Sequence, residues 1–373
     1  MSKLFSSVQI GAVPLKHRVV MAPLTRSRAG LPDGIPGDLM LDYYTQRASD
    51  GGLIISEGTP VSPSARGWLG APGMYSVAQV AGWKRITAAV HAKGGRIFAQ
   101  LWHTGRSSHV TVTEGTQPVS ASVNPAYWEN PNHLTSTPNG WVQPSPHRAL
   151  EIDEIAGVVE DFRKAAENAK AAGFDGVELH GANGYLIDQF LQDGSNKRTD
   201  RYGGSIANRA RLLLEIVEAV ATVFGGDRVA VRIGPSGQWN GMSDGDPQAL
   251  FDYVADQLNR FGLAYLHIIE PRVAGNVVTA EGQAPIAAEH LRTIFKGPII
   301  AAGGFEPSTA EAVVEKGSAD LVAFGRHFVS NPDLPTRIER GLPLAAHDRD
   351  TFYTFDAKGY SDYPAYEDTA VAA

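Results

Sequence analysis

From Gly173 to Gln192 the chain reads GFDGVELHGANGYLIDQFLQ. An apolar, strand-like run from Gly176 to Leu179 leads straight into His180, and Asn183 and Tyr185 follow within the first turns of what reads as a helix. Three polar side chains are thereby gathered at the C-terminal end of one strand. In parallel α/β proteins these ends carry the βα loops, which vary freely while the packed sheet behind them does not, and ligands bind there. The functional site is expected at this end.

Outward from this stretch, short β-rich runs bounded by Gly, Pro or polar turns recur along the chain. They are RVVMAPL from Arg18, GLIISEGT from Gly52, RIFAQLWH from Arg96, GVELHG from Gly176, RVAVRIGP from Arg228, LAYLHIIE from Leu263, PIIAAGG from Pro298 and DLVAFGR from Asp320. Helical patterns lie between them, at Val77 to Ala92, Ile152 to Ala172, Ala207 to Phe224, Pro247 to Phe261 and Ser308 to Lys316. Eightfold alternation of strand and helix predicts an α/β fold of the (β/α)₈ TIM-barrel type, with an open doubly wound sheet as the alternative. Residues Val8 to Pro14 read as an N-terminal hairpin plugging the bottom of the barrel. Residues 103–150 are rich in Pro, Thr, Asn and Ser and include Tyr127, Trp128 and Trp141. Ordinary βα loops run to about 6 residues, so this connection reads as a cap over the barrel mouth.

At 373 residues, with 43% hydrophobic and 20% charged residues, the chain is expected to form one large soluble barrel, residues 1–373, with residues 103–150 as an insertion within it. Disorder is expected only in the last residues, Asp368 to Ala373. No stretch approaches the roughly 20 apolar residues of a spanning helix, and the N-terminus lacks an apolar run of signal-peptide length, so a cytoplasmic protein is expected. A net charge of −7 argues against nucleic acid or an anionic membrane as partner. The absence of cysteine removes disulfides, thiolate metal sites and thiol nucleophiles. With no His-x-His or H-E-x-x-H either, no metal site is expected.

None of the 40 glycines forms Gly-x-Gly, so no dinucleotide-binding fingerprint is present. Gly303 and Gly304 close the seventh strand, and Gly325 and Arg326 the eighth, where barrels hold phosphate groups with backbone N–H donors; as single features they read first as helix-start turns. Arg232 interrupts an apolar strand, and a buried guanidinium needs an anion: either a ligand or an internal ion pair with Glu57 or Glu178. Gln100, in FAQLW, poses the same question for an amide. A flavin answers both, because its pyrimidine edge offers carbonyl and N–H groups and gains negative charge on reduction.

HGANGYL, with MAPLTR from Met21 and GYSDYP from Gly359, resembles the Old Yellow Enzyme family of flavin-dependent ene-reductases over nearly the whole chain. The resemblance implies bound FMN, with Pro23, Leu24 and Thr25 against the ring, Gly58 beside it, Gln100 and Arg232 on the pyrimidine and Gly303, Gly304, Gly325 and Arg326 on the phosphate. It implies NADPH or NADH as a transient hydride donor in ping-pong alternation with an activated alkene, an α,β-unsaturated carbonyl or nitro compound. His180 and Asn183 would hold the substrate's polar oxygen and Tyr185 would donate the proton, a task suited to a hydroxyl with an ordinary pKa of about 10. Read singly, His180 is a structural histidine, Asn183 a cap or turn residue and Tyr185 a packing residue. Trp102 shares a strand face with Gln100 and would line the substrate pocket with Trp68, which stands where relatives often carry Tyr, and Tyr353. A monomer or homodimer is expected. The alternative from another class is a non-redox barrel enzyme acting on a sugar phosphate.

Overall fold

The computed structural model describes residues 2–271, 273–274, 277–278 and 288–366; the expectation for Asp368 to Ala373 lies outside them. Eight parallel strands form the barrel: β1 (Val19–Met21), β2 (Leu53–Ile55), β3 (Arg96–Trp102), β4 (Gly176–Gly181), β5 (Val229–Ile233), β6 (Tyr265–Ile269), β7 (Ile299–Ala302) and β8 (Leu321–Phe324). Each pairs with the next, and β8 returns to β1 through Val322↔Val19 and Phe324↔Met21, so the sheet has no open edge. The open-sheet alternative is thereby excluded.

Side-chain alternation along these strands builds two separate cores. Outward residues such as Ile54, Ile97, Val177, Val231, Leu266 and Val322 pack against the surrounding helices. Inward residues such as Val20, Leu53, Phe98, Ala230, Tyr265, Ile300 and Leu321 fill the lower barrel together with Ile10, Val13 and Leu15. These last three come from an antiparallel hairpin, Val8–Ile10 with Val13–Leu15, one residue longer than the expected plug. Its turn lies against the N-terminal end of β5: Ala12 N–H donates to the Asp227 carbonyl at 3.0 Å. Gly11 has φ +49°, and a Cβ there would stand 1.9 Å from the same oxygen. Only glycine fits.

The helix Val77–Ala92 has its expected bounds, with a capping box between Ser76 and Gln79. The next is shorter than the pattern suggested, Ile155–Ala171, and the one after it divides into Ile206–Arg209 and Arg211–Phe224. Pro247–Leu258 ends in a 3₁₀ turn, Asn259–Phe261, and Pro307–Lys316 begins one residue before its expected start. A local correction falls at the site itself. Asn183 and Tyr185 do not lie in a helix: Asn183 (φ +59°) and Gly184 (φ +71°) make a left-handed turn, and the helix runs only from Leu186 to Leu191. Left-handed backbone cannot continue a right-handed helix, and it lifts both side chains off the strand end.

Residues 103–150 hold two small strand pairings. Val119–Ser120 pairs with Arg148–Ala149, and a small hairpin, Thr135–Thr137 with Gly140–Val142, docks on the loop after β2, where Leu69 N–H donates to the Ser136 carbonyl at 3.0 Å. The hairpin's Trp141 meets Trp68 edge to face at 5.1 Å between centroids. Among the described residues no helix is long and apolar enough to cross a membrane.

Candidate active site

At the C-terminal mouth of the barrel lies a cavity of about 640 Å³. One wall is the chain leaving β1, Pro23, Leu24 and Thr25; the opposite corner is formed by Gly303 and Gly304 after β7 with Gly325 and Arg326 after β8. Gln100, His180 and Arg232 rise from β3, β4 and β5, and Asn183, Tyr185, Trp68 and Tyr353 face the cavity from loops. Fourteen residues singled out in the sequence thus share one space.

Two others stand behind it. Trp102 does not line the cavity; it is sealed behind Tyr185, ring centroids 4.9 Å apart. The missing side chain of Gly58 is accounted for by Trp102, since a Cβ there would come within 2.6 Å of the indole. Both residues belong to a supporting layer rather than to the opening.

The floor of the cavity is a polar layer set by strand register. Gln100 stands opposite Glu178, His180 opposite Arg232, and Arg232 opposite His267. Gln100 Nε2 donates to Glu178 Oε1 at 2.8 Å, and His267 Nδ1 lies 2.8 Å from Glu178 Oε2. Burial works against a charge on Glu178, but His267, Arg232 and Gln100 outweigh it and hold the carboxyl below the usual carboxylate range. Burial pushes His267 down, with Arg232 adding to it and Glu178 opposing it.

Arg232 is the informative residue. Glu57, one of its two expected partners, is engaged elsewhere, accepting from the backbone N–H groups of Arg26 (3.1 Å) and Ser27 (3.2 Å) and from Tyr44 (3.4 Å). Glu178 favours the guanidinium's charge from a distance but is saturated by Gln100 and His267. Arg232 Nε is buried without a partner among the described residues, and the residue borders the cavity. An unpaired guanidinium beside an empty-walled space calls for a ligand that accepts hydrogen bonds and tolerates or gains negative charge. A flavin ring fits that demand, and the positive-φ backbone at Gly303 (+116°) and Gly304 (+64°) beside Arg326 fits its phosphate.

Above the floor, His180 is held well below its ordinary pKa by burial, Arg232 and His267, so it is a neutral ring whose Nδ1 has no partner among the described residues. The Asn183 carbonyl accepts from Asn240 Nδ2 at 2.9 Å, and Gly184 N–H donates to Asp188 Oδ2 at 2.9 Å. The turn that presents Asn183 and Tyr185 is therefore fixed from both sides. Burial raises the Tyr185 hydroxyl above its ordinary value, with Tyr127 and Tyr353 adding to the effect, and the phenol stays protonated. Its ring lies 5.0 Å from that of His180.

Tyr353 reaches the mouth because three buried arginines hold its segment. Arg26 Nε and Arg28 Nη1 donate to the Phe352 carbonyl at 3.1 and 2.7 Å, Arg26 Nη2 to Gly359 O at 2.7 Å, and Arg47 Nη2 to Tyr360 O at 3.1 Å. Tyr360 stacks on Tyr43 at 4.0 Å. Gly359 to Pro364 is thus a packed strap, whereas Tyr353 faces the cavity. Sequence reading missed Phe305, His327 and His347, which also line the opening. His327 had a signal, its place directly after Arg326; His347 had none, lying in a segment without periodicity. Among the described residues no group of three or more His, Asp or Glu is placed to hold a metal ion.

A closed parallel barrel with a flavin-shaped demand at its mouth defines a class of oxidoreductase. Residues 3–345 match the NADH:flavin oxidoreductase / NADH oxidase family, and the chain belongs to it. It is similar to 12-oxophytodienoate reductase 2 of Arabidopsis thaliana, 44% identical over 375 residues, which is 98% of this chain and 96% of that one. The solved structure of morphinone reductase in complex with tetrahydroNAD superposes with a TM-score of 0.89 at 49% identity, covering 97% of each chain. That of the old yellow enzyme homologue from Zymomonas mobilis gives 0.91 at 43% identity, covering 97% of this chain and 99% of that one. The resemblance to the Old Yellow Enzyme family holds. The protein is an FMN-dependent ene-reductase that draws hydride from NAD(P)H, and the sugar-phosphate alternative finds no support in these relatives.

Proposed function

We propose that the cavity residues divide the work as follows. Gln100 and Arg232 hold the pyrimidine side of FMN, Pro23, Leu24 and Thr25 lie along the ring, and Gly303, Gly304, Gly325 and Arg326 clasp the phosphate. Bound there, FMN would supply the hydride-transfer chemistry that links nicotinamide to alkene. Neutral His180 and the Asn183 amide donate hydrogen bonds to the substrate's carbonyl or nitro oxygen, where negative charge develops, which polarises the adjoining double bond. Tyr185 delivers the proton to the other alkene carbon. Trp68, Trp141 and Tyr353 close the mouth against water, with Trp102 bracing Tyr185 from behind. The nicotinamide and the alkene take turns in this one space, consistent with a chain that carries no separate nucleotide fingerprint.

The observation that carries this reading is Arg232, whose buried Nε has no partner among the described residues, in the same cavity as His180, Asn183 and Tyr185. The chain works as a single barrel over residues 1–373, capped by residues 103–150, in the cytoplasm, as a monomer or homodimer. The test is the visible spectrum of the purified protein under anaerobic conditions. The flavin band bleaches on adding NADPH or NADH and returns on adding 2-cyclohexenone. A band that bleaches but does not return would remove the alkene as oxidant.

A further inference from the structure

Glu178 has no part in the chemistry just described, yet it is fully buried, charged and placed directly beneath the cavity. Its two oxygens accept from Gln100 Nε2 and His267 Nδ1, each at 2.8 Å. An ionised carboxylate only accepts hydrogen bonds. The neighbouring amide must therefore turn its NH₂ group toward Glu178, whichever way the side chain would otherwise lie. In a planar amide the oxygen then points the other way, and among the described residues no donor reaches Gln100 Oε1. Gln100 borders the cavity. What it presents there is that oxygen, with the amide's second N–H beside it.

We propose that Glu178 is a positioning residue: by anchoring the amide nitrogen of Gln100 it fixes where the carbonyl oxygen stands toward the cofactor, so that this point of the wall matches an N–H on the ring edge. This rests on the reading that Gln100 meets the flavin's pyrimidine. That edge carries one N–H, at N3, between two carbonyls. Arg232, which can only donate, stands one strand beyond His180's and serves a carbonyl. Donor and acceptor are thus sorted along the floor by a residue that touches neither flavin nor substrate. Glu178 also faces Arg232 electrostatically. Its charge tempers the guanidinium's pull on the electron-rich reduced ring.

The full-length chain, stripped of FMN, is titrated with FMN and with N3-methyl-FMN, which lacks the N–H. The parent protein is expected to prefer FMN by about tenfold or more, the size of one buried group losing its partner. In Glu178→Gln the anchor can donate as well as accept, Gln100 is free to rotate, and the preference falls toward unity. The midpoint potential of bound FMN rises in the same variant, a shift that a purely structural role would not give. A preference kept in Gln100→Leu overturns the pyrimidine reading and this assignment with it. A preference lost in Gln100→Leu but kept in Glu178→Gln overturns the assignment alone. If Glu178→Gln does not fold, the exchange variant Gln100→Glu/Glu178→Gln keeps one carboxylate and one amide in contact. The carboxylate now at position 100 only accepts, so the preference for FMN is retained; its disappearance would count against the assignment.

Discussion

Tyr185 and Arg232 respond to the same burial in ways that suit opposite tasks. Desolvation keeps the phenol protonated and leaves the guanidinium in need of a partner. Tyr185→Phe is accordingly expected to leave flavin reduction by NADPH unchanged while slowing re-oxidation by the alkene about 10²-fold or more, the usual weight of a general acid. Stopped-flow measurement of the two half-reactions separates these. Arg232→Met is expected to weaken FMN retention about tenfold or more, read by fluorescence as flavin is released on dilution. At this scale the sequence was informative wherever a polar residue broke an apolar strand run, as Gln100, His180 and Arg232 do. The same signal was present at His267, in LAYLHIIE, and its meaning emerged only when strand register set it beside Arg232. Phe305, directly after Gly304, had the same signal of adjacency as His327, whereas His347 could not be found this way, lying in a segment without periodicity.

Among the elements, the strap that carries Phe352 and Tyr353 depends on arginines from the other end of the molecule. Arg28 alone donates to the carbonyls of Thr351, Phe352, Asp356 and Lys358. Arg28→Met leaves the Asp356 and Lys358 carbonyls without a side-chain donor among the described residues, while Phe352 O keeps Arg26 and Thr351 O keeps Thr354, and is expected to cost about 1–3 kcal/mol in urea unfolding. It should also raise KM for the alkene, since Tyr353 loses its support, while visible absorption shows FMN still bound. Eight strands and the interleaved helices were legible from periodicity, but strand lengths were not. RVVMAPL reads as one run, yet β1 stops at Met21, because beyond it the backbone leaves the ladder to line the cavity. The turn at Asn183 was misread as helix because Leu186 to Leu191 supplies a helical pattern just after it.

For the whole molecule, burial of carboxyl groups makes stability depend on pH. Glu57 is raised from 4.5 to about 7 by burial, despite the N–H groups of Arg26 and Ser27; Asp188 is raised from 3.8 to about 7 by burial, despite Gly184 and Gln192. Between the unfolded and folded values the folded chain holds more protons, so these groups favour the folded state at low pH. That contribution declines as pH rises from about 4 and is gone above about 7. Asp188→Asn is therefore expected to lose stability less steeply than the parent over this range, read as the difference in Tm between the two proteins at pH 4.5 and 7.5. A parallel pair of pH curves would show that Asp188 titrates normally.

The pairing of β8 with β1 has a consequence for how the protein comes into being. The ring is sealed by contacts between Val19 and Val322, and the walls of the mouth are shared between Pro23 and Arg326. A nascent chain emerging from the ribosome therefore owns half a vessel for most of its synthesis, and its yellow cargo has nowhere to settle until translation has passed Arg326. Loading belongs to a chain extended at least past Arg326.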